Sequence, residues 1–320
     1  SQPGHLVPKN PLDRSCSLPS TESPAQKASS YDDYAIGGKA SQLAHLLARL
    51  PGRLTPPEGR TTIRYTQLAQ LRGDFGKREL RNWNNSLTME TAQTGIVTLC
   101  TVQPAITWNQ PEETFAHIAE LLAEAADRTP LDVVVLPEHF NAVEEIEGET
   151  AQWHAAQVFA ADLARRHAVN LVAGSVERWD SSLGARVNTA VVYDRTGQEL
   201  GRYDKRRLFG FERRRNVQPG ERALVVSLEG VPCGVLICAD LWFPEQVREL
   251  AVTVDLLCVP AQTTIRAESQ PGYARMLWQT LAMTRAQENV LAVVVSDQAA
   301  SSRAPFRCGG VASITDPSAE

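Results

Sequence analysis

The chain has 320 residues, 43% of them hydrophobic, and a formal net charge of -5 at pH 7. That length admits two domains, or one large domain with an extension, and the apolar share is ample for a core. The acidic balance gives no global attraction to nucleic acid or anionic lipid, and no run of about 18 apolar residues exists to span a membrane. Residues 1–30 hold five Pro and seven Ser without an apolar period and read as a disordered leader. No basic stretch followed by an apolar run marks a secretory signal, so a cytoplasmic location is expected. Leu43, Leu46, Leu47 and Leu50 fall on one helical face, and Pro51, Pro56 and Pro57 end that helix. A second helical stretch is predicted over 64–85, which makes 31–92 a small helical module.

From Gly95 the texture changes. A strand over 96–102 is followed by a helix opened by Pro111, with Ile118, Leu121, Leu122 and Ala125 on one face. Then come a strand at 132–136, a helix near 150–167 and a strand at 170–176. Strands near 187–193 and 198–203 flank Asp194-Arg-Thr-Gly197, and 222–228 joins 231–237 through Glu229-Gly230; both are hairpin signals. Pro244 opens another helix, followed by a strand at 255–259, a helix near 271–288, and strands at 290–295 and 310–314. Strands alternating with helices, with hairpins between, predict a mixed-sheet α/β domain with its helices outside.

Three polar residues stand where apolar runs end. Glu138 follows Asp132-Val-Val-Val-Leu-Pro, Lys205 closes Tyr203-Asp-Lys, and Cys238 follows Gly234-Val-Leu-Ile. A carboxylate, an ammonium and a thiol carried out of one core are the parts of a cysteine-nucleophile hydrolase. A free thiol near pKa 8.5 needs a neighbouring base or cation, and Glu138 is the candidate base. Lys205 would stabilise the oxygen of a tetrahedral intermediate, with the Ala239 N–H as second donor. The other cysteines (Cys16, Cys100, Cys233, Cys258 and Cys308) are scattered, several inside apolar runs, and read as reduced buried thiols. Cys-x-x-Cys and His-Glu-x-x-His are both absent, so no metal site is indicated.

With these residues in place the sequence resembles the nitrilase, or carbon–nitrogen hydrolase, superfamily from Ile96 to Pro317. The resemblance is carried by Val102-Gln103-Pro104, Leu136-Pro137-Glu138, Asn188-Thr-Ala-Val-Val-Tyr193, Tyr203-Asp-Lys205-Arg-Arg-Leu208-Phe209, and Glu212 ahead of Pro219-Gly220. It continues through Gly234-Val-Leu-Ile-Cys238-Ala-Asp240-Leu-Trp-Phe-Pro244-Glu245, Trp278 with Arg285-Ala-Gln-Glu288-Asn289, and Gly310-Val-Ala-Ser313-Ile-Thr-Asp316-Pro317. The resemblance implies a four-layer αββα sandwich over 93–320, C-terminally short because the family pattern runs on past Asp316-Pro317. It implies Glu138 as base, Lys205 as stabiliser, Cys238 as nucleophile and Glu212 as the residue that orients Lys205 or the substrate. It also implies a homo-oligomer joined through outer helices, and no metal or organic cofactor. Cys238-Ala-Asp240 with Phe243-Pro244-Glu245 is closer to the amidase and carbamoyl-amide branches than to nitrilases, which carry Trp-Glu after the cysteine. A small amide or N-carbamoyl compound is the expected substrate.

His139, Asp240 and Trp242 are candidates for the substrate pocket. Arg206 belongs to a basic run over 202–215 that reads as a solvated loop or as a site for an anionic substrate group. Residues 68–83 loosely resemble a helix-turn-helix, though the spacing after Gly73 is off, and nucleic acid is not expected as a partner. Two alternatives stay open: a non-catalytic, regulatory hydrolase-like protein with an N-terminal helical binding module, and nitrile hydrolysis or amide transfer within the same superfamily.

Overall fold

The computed structural model describes residues 66–75, 93–141, 151–265, 271–299 and 307–317. The expected leader, the leucine helix near 39–50 and Cys16 lie outside them.

The first sheet has six strands in chain order: β1 (Thr66–Phe75), β2 (Gln93–Val102), β3 (Val133–Val135), β4 (Asn170–Asp180), β5 (Ala185–Tyr193) and β6 (Glu199–Asp204). β2, β3 and β4 run parallel, and the remaining neighbours are antiparallel. The second sheet is ordered β13-β11-β9-β8-β7, from Ser313–Thr315, Ala292–Ser296, Leu256–Pro260, Val231–Val235 and Val225–Leu228. Its three central strands β8, β9 and β11 are parallel. β10 (Thr264–Ile265) and β12 (Arg307–Cys308) form a separate short pair.

The apolar runs explain the layering. Val133 and Val135 of β3 join Leu99, Val172 and Val192 in the core shared with the second sheet. Val134, between them, joins Cys100, Leu171 and Val191 against the helices α1 (Pro111–Ala126) and α2 (Ala151–His167). Side chains alternate across a strand, so an unbroken apolar run means both faces are covered. α1 buries Ile118, Leu121, Leu122 and Ala125, the four residues its periodicity selects. On the other side α4 (Pro244–Ala251) and α5 (Pro271–Asn289) pack on the second sheet through Val247, Leu250, Trp278, Ala282 and Ala286. The result is the expected αββα sandwich. No helix among the described residues is long and apolar enough to cross a membrane.

One expectation is corrected. Thr66–Phe75 is a strand, not the start of a helix over 64–85, and it pairs with the whole length of β2, from Thr66 opposite Val102 to Phe75 opposite Gln93. Leu68 and Leu71 suit a helical period, but the open backbone edge of β2 offers a continuous ladder, and that pairing outweighs local preference. The same strand removes the first helix of the loose helix-turn-helix. The remainder of the predicted helical module lies outside the described residues.

Candidate active site

Every chemistry-bearing residue leaves the sandwich at one end. Glu138 follows β3, Lys205 follows β6, Cys238 follows β8 and Gln262 follows β9, so the carboxyl ends of the parallel strands in both sheets meet there. Two close approaches fix this meeting. A Cβ on Gly174 would stand 1.9 Å from the Pro137 carbonyl oxygen, and one on Gly220 would stand 2.2 Å from that of Asp204. The chain therefore has no room for side chains beside the residues that precede Glu138 and Lys205.

Lys205 is 1% exposed and Glu138 2%. The Lys205 ammonium donates to Glu138 Oε1 at 2.7 Å and to Glu212 Oε2 at 2.8 Å. Asn188 Nδ2 donates to the same two carboxylates, at 2.9 and 2.8 Å. The Phe209 N–H adds a bond to Glu212 Oε2, and the Gln262 N–H one to Glu138 Oε2 at 3.0 Å. The Cys238 thiol donates to the Gln262 carbonyl, 3.8 Å away, and the Glu138 charge bears on it. Cys238 itself has φ of +46°, a left-handed conformation that non-glycine residues hold only under constraint, at the head of a 3-10 turn Cys238–Trp242.

The electrostatics follow from burial and partners. Burial pushes the Glu138 carboxyl up, but the Lys205 and His139 charges and the hydrogen bonds from Lys205 and Cys238 outweigh it and hold the group below the usual carboxylate range. Burial works against the Lys205 ammonium, yet Glu138 and Glu212 keep its pKa well above the ordinary value. Burial and then the Glu138 charge push the Cys238 thiol well up, against Lys205 and the Gln262 backbone. The directions of these shifts make the resting site carboxylate, ammonium and neutral thiol. Glu138, His139 and Glu212 offer ligand atoms within 4.8 Å of one another. The cation between Glu138 and Glu212 is the Lys205 ammonium, which a metal ion would have to displace.

The other predicted residues divide. His139 joins the cluster, its Nε2 buried without a hydrogen-bond partner and 3.9 Å from Glu138 Oε1. Trp242 sits on the Cys238 turn, half-exposed and edge-on to Phe209 and Trp278. Ala239 is buried beside Cys238. The fully buried Asp240 carboxylate accepts the Ile237 and Arg207 N–H groups and the Tyr203 hydroxyl, at 3.0, 2.6 and 2.8 Å. It braces the Cys238 turn against the segment after Lys205. Arg206 reaches Glu249 of α4 at 2.8 Å rather than the cluster. Its neighbours in the basic run are likewise engaged, Arg202 by Glu199, Arg207 by Glu245 and Arg215 by Glu177. Asn188 and Gln262 were missed as site residues. The available signal was position: Asn188 is a polar residue inside a largely apolar strand, and Gln262 follows an apolar run ending in Pro260-Ala261, as Glu138 follows Pro137.

The comparisons agree with this geometry. The family model described as carbon-nitrogen hydrolase matches residues 97–320. The deaminated glutathione amidase of Synechocystis is 32% identical over 237 residues, 68% of this chain and 81% of the relative. The 2-oxoglutaramate amidase of Bacillus subtilis is 28% identical over 201 residues, 60% of this chain and 72% of the relative. Among solved structures, Nit3 of Saccharomyces cerevisiae, a member of the nitrilase superfamily, overlays with a TM-score of 0.60 at 22% identity, over 69% of this chain and 82% of that one. An amidase from Nesterenkonia overlays at 0.57 with 24% identity, over 68% and 84%; at such identities the overlays speak for the fold. The chain belongs to the carbon-nitrogen hydrolase family of the nitrilase superfamily, as an amidase-like C–N hydrolase.

Proposed function

We propose that the protein hydrolyses the C–N bond of a small, non-peptide amide or N-carbamoyl compound through Cys238, Glu138 and Lys205. The observation that carries this reading is the Glu138 carboxylate, which accepts from the Lys205 ammonium at 2.7 Å and from the N–H of Gln262, the residue whose carbonyl accepts from the Cys238 thiol. Cys238 Sγ attacks the carbonyl carbon as Glu138 takes the thiol proton. The carbonyl oxygen becomes an oxyanion facing Lys205 and the Ala239 N–H. Glu138 returns that proton to the departing nitrogen, which leaves as ammonia or an amine, and the acyl group remains on Cys238 as a thioester. Glu138 then deprotonates a water molecule that attacks the thioester. The proton passes back to the thiol and a carboxylic or carbamic acid is released. Glu212 and Asn188 hold Lys205 and Glu138 in register and undergo no covalent change.

The names of the relatives favour amides: deaminated glutathione amidase, 2-oxoglutaramate amidase and, from Saccharomyces cerevisiae, omega-amidase. A relative from Pyrococcus abyssi, 30% identical over 221 residues, is named nitrilase and keeps nitriles in the test. Ammonia release is measured over amides, N-carbamoyl amines and nitriles, with Cys238→Ala as control. Release that the variant abolishes supports the reading and names the branch. Release that survives in the variant, or silence across the panel from folded protein, contradicts it.

A further inference from the structure

Asp297 stands at the carboxyl end of β11, fully buried, and takes no part in the chemistry above. Its Oδ1 accepts the Thr263 N–H at 2.9 Å, and its Oδ2 accepts the Thr263 hydroxyl at 2.6 Å and the Val311 N–H at 2.9 Å. Among the described residues no lysine or arginine pairs with it, so a buried anion is held by dipoles alone. That is an expensive choice unless the held groups matter.

What it holds is one peptide unit. The Thr263 N–H and the Gln262 carbonyl belong to the same planar amide, so fixing one end fixes the other. The Gln262 carbonyl is the group the Cys238 thiol points at, and the Gln262 N–H is bound by Glu138 Oε2. The next residue, Gln298, donates from Nε2 to the Glu138 carbonyl at 2.8 Å. Asp297 thus anchors the one stretch of backbone that touches both the base and the nucleophile.

We infer that Asp297 is a positioning residue for this reaction, setting the Gln262–Thr263 peptide that aligns the Cys238 thiol with Glu138. The inference rests on the reading of Cys238 and Glu138 as nucleophile and base. Both carboxylate oxygens face backbone N–H groups, so Asp297→Asn must turn an amide N–H toward another N–H whichever way it sits. Protonation of Asp297 has a similar consequence. Burial pushes its pKa up to about 6 against the bonds from Thr263, Val311 and Gln298, while Glu138 is held below the ordinary carboxylate value. The titratable side chain facing Asp297 is Cys308 of β12, whose thiol burial and the Asp297 and Glu138 charges push well up, out of this range.

The test is the rate of Cys238 alkylation by acrylamide as a function of pH, followed by intact mass. The wild-type rate is expected to fall through an inflection near pH 6. Asp297→Asn, confirmed folded by circular dichroism, is expected to react about tenfold or more slowly at pH 8 and to lack the inflection. Thr263→Val removes one donor to the carboxylate and is expected to move the inflection upward by about half a unit or more. An inflection that persists in Asp297→Asn, or that Thr263→Val leaves in place, belongs to another group and overturns the inference. So does a wild-type profile without one. Failure of wild-type Cys238 to react at any pH would count against the nucleophile itself, not against Asp297 alone.

Discussion

The two ends of the sandwich are built from the same residue types and do different work. At the amino ends of the parallel strands, Asp132 before β3, Arg195 in the β5–β6 turn and Glu229 in the β7–β8 turn form a carboxylate–guanidinium–carboxylate cluster, with Arg195 2.5 Å from Asp132 and 2.6 Å from Glu229. At the carboxyl ends, Glu138, Lys205 and Glu212 form a carboxylate–ammonium–carboxylate cluster at 2.7 and 2.8 Å. The contacts are alike; the burial is not. Arg195 is 36% exposed at its side chain and Lys205 1%. Water screens the first cluster, which acts as a clasp joining both sheets. The second is screened by nothing, so its charges set the proton positions of the thiol beside it. The two clusters differ through exclusion of water and a thiol at the edge of one, not through their composition.

The sharpest way to break this contrast is to remove each cation. Lys205→Met leaves two buried carboxylates facing each other. It is expected to abolish turnover and to lower unfolding free energy by about 3–5 kcal/mol in urea titrations. Arg195→Met at the clasp is expected to lose about 1 kcal/mol and keep its turnover. Equal penalties for the two variants would refute the burial argument. Next in size is Gly174→Ala, whose Cβ has no room beside the Pro137 carbonyl. Its displacement of Glu138 is expected to reduce turnover about 100-fold. Gly210→Ala in α3 (Gly210–Arg214), where nothing lies within 4 Å, is expected to leave stability unchanged or slightly raised. Tyr203→Phe removes the hydroxyl that braces Asp240 and is expected to cost about 1–2 kcal/mol.

Acid and salt give the smallest effects and the finest discrimination. The Arg195 hydrogen bond holds Glu229 low at the clasp, and Lys205 with its neighbours holds Glu138 low against burial at the site. A carboxylate with a depressed folded pKa contributes stability above its unfolded value of about 4.3 and loses it as pH falls through the folded value, so both ends weaken in acid. Lys205 runs the opposite way: its contribution is present below about 10.4 and is lost as pH rises through its higher folded value. Raising salt from about 0.05 to 0.5 M is expected to shrink the Arg195→Met penalty and leave the Lys205→Met penalty standing, read from urea midpoints.

Much of this was legible in the sequence because apolar runs are informative at their ends. The runs at 132–136 and 234–237 located Glu138 and Cys238, and the periodicity of 111–126 selected the buried face of α1. Asp132 and Glu138, however, bracket the same run, and run-ending alone does not say which end is dry. That depends on which loops close over it, a property of the assembled sheets. The surroundings of Asp240 and Arg206 were not legible for the same reason, since their partners Ile237, Tyr203 and Glu249 are set by tertiary approach rather than by spacing. Asn188 and Gln262 act through bonds to residues 50 and 124 positions away, a separation no local pattern carries. β1 was misread because a leucine pair three residues apart fits a helix as well as an edge strand.

The central claim is that Cys238 becomes acylated during turnover. It is tested most directly by mixing the protein with an amide that releases ammonia, quenching in acid within the turnover time, and mapping the mass by peptide. The account predicts an acyl adduct on the peptide containing Cys238, absent from Cys238→Ala. Turnover with no adduct on Cys238, or with the acyl group on another cysteine such as Cys308, would contradict it.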